Sequence, residues 1–208
     1  VLDILIKVRF LWAAAFALSL GSELGLASDS LFDVTSHCVA YKTKKKILMI
    51  HRVNVIGYNC QVSTQIVPEI DEKYHFEMQV QARGFESGES ERDRDVQKIL
   101  KAESFPQISF KTSGRSKPEW QALLDKKVFL LDGNLEIGGS SFPVSANVTV
   151  NSTNKIQIAN GSVTRKFTEL GISPPKLGMG IFASVADKVE LHFQIRADKT
   201  LGIDSISN

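Results

Sequence analysis

The sequence predicts an all-β, antiparallel fold carrying one or two short helices. Three observations predict it. Four stretches alternate between apolar and polar residues, as strands with one dry and one wet face should. Clusters of turn-forming residues, "PEIDEK", "LDGN", "GGSSFP" and "NSTN", separate the candidate strands. No long helical pattern lies between them, which argues against β-α-β units and leaves a sandwich or a barrel. A barrel removes exposed edges, and one apolar face per strand gives it an apolar interior.

The chain of 208 residues suits one domain, and 43% hydrophobic with 23% charged residues supports a packed core. Its first segment has the grammar of an export leader. Lys7 and Arg9 precede the apolar run "FLWAAAFALSL", and Gly25 and Ala27 are small residues two apart. The run is shorter than the roughly 20 apolar residues that span a bilayer. We therefore expect a signal peptide over residues 1–27 and a mature domain over 28–208, with a retained anchor as the competing reading. Export would place Cys38 and Cys60 in an oxidising compartment, where they either form a disulfide or stay as two buried thiols.

Weak strand candidates follow at residues 32–41, 47–55 and 59–67. The basic run Lys42–Lys46, "KTKKK", falls between the first two and reads as a solvated turn or a strand edge, with an anionic-lipid contact as the alternative. The first strong strand covers residues 74–82, where Tyr74, Phe76, Met78, Val80 and Ala82 alternate with polar residues. In "DVQKILKA", Val96, Ile99 and Leu100 form an apolar stripe at helical spacing, Asp95 suits the N-cap, and Lys98 and Lys101 suit the C-terminal end. Arg92, Asp93, Arg94 and Asp95 read either as a salt-bridged start to this helix or as groups that meet a headgroup. Pro106 then holds Phe105 extended and starts a strand at residues 109–113. A second short helix begins at Pro118 in "PEWQALL", with Trp120, Leu123 and Leu124 on one stripe. Strong strands at residues 129–137, 144–150 and 189–197 and a weaker one at 155–163 complete the sheet.

Several function classes find no support. The net charge of +2 and the lack of a basic patch with an aromatic ladder give nucleic acid no footing. His37, His51, His75 and His192 have no metal-ligand spacing, and no nucleophile elbow, phosphate loop or zinc-protease helix occurs. We expect no enzyme activity, no cofactor and no metal.

Three blocks point to a known family. "ERDRDVQKILKAESFPQISFKT" (residues 91–112), "LDGNLEIGGSSFPVSANVTV" (131–150) and "RKFTELGISPPKLGMGIFASVADKVELHFQI" (165–195) resemble, in order, the motifs of YceI-like proteins. Residues before Tyr74 match that family poorly. The resemblance implies a lipocalin-like antiparallel barrel of about eight strands that holds a long polyisoprenoid, a quinone or a fatty amphiphile, for transport or storage in the periplasm or outside the cell. A homodimer is compatible with it, and a membrane-spanning mature form is not expected.

On that reading the wall of the cavity is Phe76, Met78, Phe110, Phe129, Leu131, Leu135, Ile137, Phe193 and Ile195, with Phe105 and Ile108 as further ligand contacts. Met179 and Phe182, flanked by glycines in "LGMGIFAS", read as a lid beside the mouth or as an ordinary turn. The same apolar residues would equally fill a small barrel by themselves. The protein would then be a secreted interaction module, its loops touching another protein.

Overall fold

Alternation becomes strands where it is strongest. The computed structural model describes residues 31–32, 37–47, 51–153, 156–177 and 183–198, all within one unit, Leu31–Asn208. The expected leader over residues 1–27 lies outside the described residues. In chain order the strands are β1 (Cys38–Ile47), β2 (His51–Asn59), β3 (Val62–Pro68), β4 (Lys73–Gln81), β5 (Gln107–Thr112), β6 (Arg115–Ser116), β7 (Val128–Ile137), β8 (Ser140–Thr153), β9 (Ile156–Arg165), β10 (Lys176–Leu177) and β11 (Ala183–Asp198). Helix α1 (Ser90–Ile99) lies between β4 and β5, and α2 (Lys117–Asp125) between β6 and β7. The four strongly alternating stretches fall on β4, β7, β8 and β11.

Every ladder is antiparallel, and the sheet runs β2-β1-β11-β9-β8-β7-β5-β4-β3, with β10 added to β11 and β6 to β4. This corrects the expected barrel of about eight strands. Among the described residues the sheet has eleven strands and does not close, because β2 pairs only with β1 and β3 only with β4. The end of β2 is held instead to the end of β4 and to the segment after it. Asn59, buried at the end of β2, donates from Nδ2 to the Gln81 carbonyl at 2.7 Å and accepts from the Gln61 amide at 2.8 Å. Tyr58 and Glu86 exchange both backbone hydrogen bonds at 2.8 Å. Beside them Cys38 and Cys60 are joined in a disulfide, which removes the free-thiol alternative. Closing that loop contributes about 3 kcal/mol in the chain-entropy account.

Glycines let the sheet roll. Tyr41 lies over Gly57, Phe110 over Gly133 and Phe193 over Gly161, so closely that a Cβ at any of the three would overlap the ring. Aromatic cover of a strand glycine restores the contact that the missing side chain leaves open. The β7–β8 connection is Gly138–Gly139, both at positive φ (57° and 82°), as a two-residue hairpin turn requires.

The N-terminal third departs most from the expected boundaries. The candidates at 32–41 and 47–55 give way to β1 and β2, and Lys42–Lys46 lies inside β1, paired on both sides by β2 and β11. It is neither a turn nor an edge: the buried Thr43 faces inward on this stretch, and Lys44 and Lys46 are exposed. Helix α1 begins at Ser90, well before the expected Asp95 cap. Its charged start is ordered by polar contacts: the Asp93 carboxylate accepts from the Ser87 amide and hydroxyl, and Arg92 donates to Ser87 Oγ at 2.7 Å. In α2 the Glu119 carboxylate accepts from the amide and hydroxyl of Ser116 at 2.8 and 2.9 Å, a capping arrangement completed by Pro118.

Candidate functional site: an apolar chamber under the first helix

The two ends of the rolled sheet are filled differently. At the α2 end Trp120 is buried and donates its indole N–H to the Tyr74 carbonyl at 2.8 Å. Leu123, Leu124, Phe76, Phe129 and Ile195 pack against the same core. At the other end lies a cavity of about 730 Å³. Its wall is built by the inward faces of seven neighbouring strands and β2: Val39 and Tyr41 of β1, Val55 of β2, Met78 and Val80 of β4, Ile108 and Phe110 of β5, Leu135 and Ile137 of β7, Val144 and Ala146 of β8, Val163 of β9 and Val189, Leu191 and Phe193 of β11. Val96 and Ile99 of α1 and Leu100 at its C-cap cover it, and Phe85, Phe167, Leu170 and Ile172 add to the lining from connecting segments.

Polar groups on the lining are few and balanced. Lys45, Arg92 and Lys98 face Glu89, Glu91 and Asp95. Arg92 sits 3.1 Å from the Glu89 carboxylate, and Lys98 sits 3.2 Å from Asp95. Three cations against three anions leave no net formal charge. His192 adds none at neutral pH, because burial lowers its pKa further below 6.5, against the raising effect of Glu190. The Tyr41 hydroxyl is buried without a well-formed hydrogen bond. Burial raises its pKa, opposed by Arg92 and by Ser87. A neutral phenol beside Arg92 is thus one polar group able to take up a hydrogen bond inside the chamber.

Of the residues expected to contact a ligand, the structure brings six to this wall: Met78, Ile108, Phe110, Leu135, Ile137 and Phe193. Phe76, Phe129, Leu131 and Ile195 belong to the core but do not border the cavity. Phe105 is 40% exposed and lies over Gly139, beside a shallower cavity with Pro106, so its proline-held extended conformation directs it to the turn and not into the chamber. Met179 and Phe182 lie outside the described residues. Expectation missed the small wall residues Val144, Ala146, Val163 and Val189, which share the inward parity of their strands and were legible there. Phe85, Phe167 and Leu170 come from segments without periodicity and carried no such signal. Among the described residues no group of His, Cys, Asp or Glu could hold a metal ion, and no helix is long and apolar enough to cross a membrane.

A sheet rolled around an apolar chamber, with a helix across one end and a plug at the other, defines a lipocalin-like class. Within it the chain belongs to the YceI-like domain family, whose profile matches residues 30–197. Solved structures share the fold at low identity. Burkholderia cenocepacia BcnA is 21% identical with a TM-score of 0.59, over 79% of this chain and 98% of that one. A polyisoprenoid binding domain from Saccharophagus degradans, implicated in plant cell wall breakdown, is 10% identical with a TM-score of 0.57, over 80% and 95%. The YceI protein of Campylobacter jejuni is 16% identical with a TM-score of 0.54, over 82% and 95%. No curated protein matches the chain.

Proposed function

We propose that this protein binds a long-chain isoprenoid or a similar amphiphile, without covalent chemistry, in the chamber under α1, for transport or storage. The observation that carries the reading is the size of the cavity. At about 730 Å³ it has about five times the volume of an engineered 150 Å³ cavity that admits benzene, room for on the order of thirty carbons. Each buried methylene contributes about 0.8 kcal/mol, and association costs about 4–15 kcal/mol, so only a ligand well beyond ten carbons binds tightly. The charge-balanced lining suits an uncharged polar head, a quinone included, better than a diphosphate. The relative described as a polyisoprenoid binding domain supports the same ligand class. The disulfide Cys38–Cys60 supports a periplasmic or secreted location reached through the leader over residues 1–27.

The test is purification without detergent, organic extraction and mass spectrometry, with light scattering on the same sample to read whether it carries its ligand as a homodimer. Recovery of a lipid of roughly twenty to forty carbons is the result expected from the cavity volume. A lipid-free protein that also fails to quench or shift on addition of a polyprenyl quinone would sink the reading.

A further inference from the structure

We propose that the β1–β2 hairpin, which supplies part of the chamber lining, docks this protein onto an anionic lipid bilayer. From Val34 to Pro68 the chain has no Asp or Glu and has five cations, Lys42, Lys44, Lys45, Lys46 and Arg52. The whole chain's +2 less this +5 leaves the rest at −3, so the positive charge is concentrated on two adjacent strands.

The fold does nothing to neutralise the outer part of this hairpin. Lys46 is directly opposite Arg52, and Lys44 is opposite Asn54. On the other side of β1, β11 places Ser184 opposite Lys46 and Val185 opposite Lys45. Only Lys42 meets an acid across the ladder, Glu190. No ion pair forms at Lys44, Lys46 or Arg52 among the described residues. Like charges placed opposite each other in a sheet are destabilising. Lysines that guard an exposed edge are a common reason to accept that cost, but β1 is an interior strand, and its lysines guard no edge.

Exposure and position fit a membrane surface. Each residue from His51 to Asn54 is exposed, and Val53, on the inward parity of its strand, is 45% exposed. An apolar side chain among cations is the composition of an interfacial contact. The inner face of the same hairpin supplies Lys45 and Val55 to the chamber lining, so a docked hairpin brings the chamber to the bilayer from which an oily molecule would enter or leave. Preference for a bilayer over another polyanion rests on the lipid-binding reading above.

Vesicle co-sedimentation tests this. The full chain should bind vesicles containing phosphatidylglycerol, bind phosphatidylcholine vesicles far less, and release as salt shortens the screening length. Each cation near an anionic leaflet strengthens binding by about fivefold. Lys44→Gln/Lys46→Gln/Arg52→Gln should therefore bind on the order of 100-fold more weakly, with melting unchanged or slightly raised by loss of the opposed charges and unchanged lipid content after extraction. Lys126→Gln/Lys127→Gln, exposed residues just after α2, should bind as the unaltered protein does. Equal binding to both vesicle types, an unaffected triple variant, an equal loss in the α2-end control, or a short DNA duplex that competes the vesicles off would each overturn the proposal. A protein that docks but yields no lipid would uphold the hairpin and remove the proposed cargo. One that carries lipid but ignores vesicles would do the reverse.

Discussion

The α1 end and the α2 end of the sheet are built from the same strands by the same alternation, yet one is hollow and the other filled. Leu131 and Leu135 show the difference most plainly. Both lie on β7, four residues apart, both inward and nearly equally buried, at 6% and 8%. Leu131 packs in the core away from the chamber, and Leu135 borders it. What separates the two ends is the helix over each. Helix α2 turns Trp120, Leu123 and Leu124 inward as a plug. Helix α1 has no fully buried residue and covers the space with Val96 and Ile99, flanked by ion-paired Arg92 and Lys98, without filling it. Burial of a strand residue therefore does not reveal whether it faces a neighbour or a void; the capping element decides.

Removing the plug should give the largest effect. Trp120→Ala deletes a buried indole and its hydrogen bond to Tyr74, and we expect a loss of about 3–5 kcal/mol in chemical denaturation. A loss under about 1 kcal/mol would mean that the α2 end is not packed as described. Next comes the leucine pair. Leu131→Ala should cost about 2–5 kcal/mol, and Leu135→Ala should fall at or below the bottom of that range, since a side chain with space on one side forfeits fewer contacts. Equal losses measured on lipid-free protein would erase the distinction between the ends.

Enlarging side chains should invert the order. Phe129→Trp, at the packed end, should cost about 1–3 kcal/mol through overpacking. Ile137→Trp, which projects into the chamber, should leave melting nearly unchanged while lowering the amount of lipid recovered by extraction. If Ile137→Trp unfolds the protein instead, the chamber is not available space.

The smallest expected effect concerns pH. Burial lowers the His192 pKa below 6.5, so the folded state prefers the neutral ring. The stability this confers is fully present above the unfolded value and is lost as pH falls through the depressed folded value. Thermal melts from pH 7.5 down to the acid side should show a steeper decline for the unaltered protein than for His192→Gln, and parallel curves would exclude a role for burial at this position.

Much of this contrast was written in the chain, though unevenly. β4, β7, β8 and β11 were legible because each has one apolar and one polar face over many residues. β1 was not, because Lys42, Lys44 and Lys46 take its outer positions, so its alternation is hidden inside a basic run that reads as a solvated turn or a strand edge. The start of α1 was hidden for a related reason: between Ser90 and Asp95 there is no apolar stripe, and the contacts of Ser87 with Arg92 and Asp93 that order it are tertiary in character. At the candidate site, the choice of large aromatics picked out Phe110 and Phe193 on the wall but also Phe76 and Phe129 beyond it. Alternation assigns a face; it does not assign a height along the roll, and that height separates wall from plug.

The seam between β2 and β3 sets how the chamber can change girth. In a hoop joined all round by backbone bonds, widening means tearing a ladder. Here β2 and β3 share no ladder: an asparagine amide and one isolated bridge tie the end of β2 to the end of β4 and the segment after it, and a sulfur–sulfur bond fixes the start of β1 to the residue after β2. The circumference can therefore grow by parting two strands that were never laced together, at little cost in hydrogen bonds.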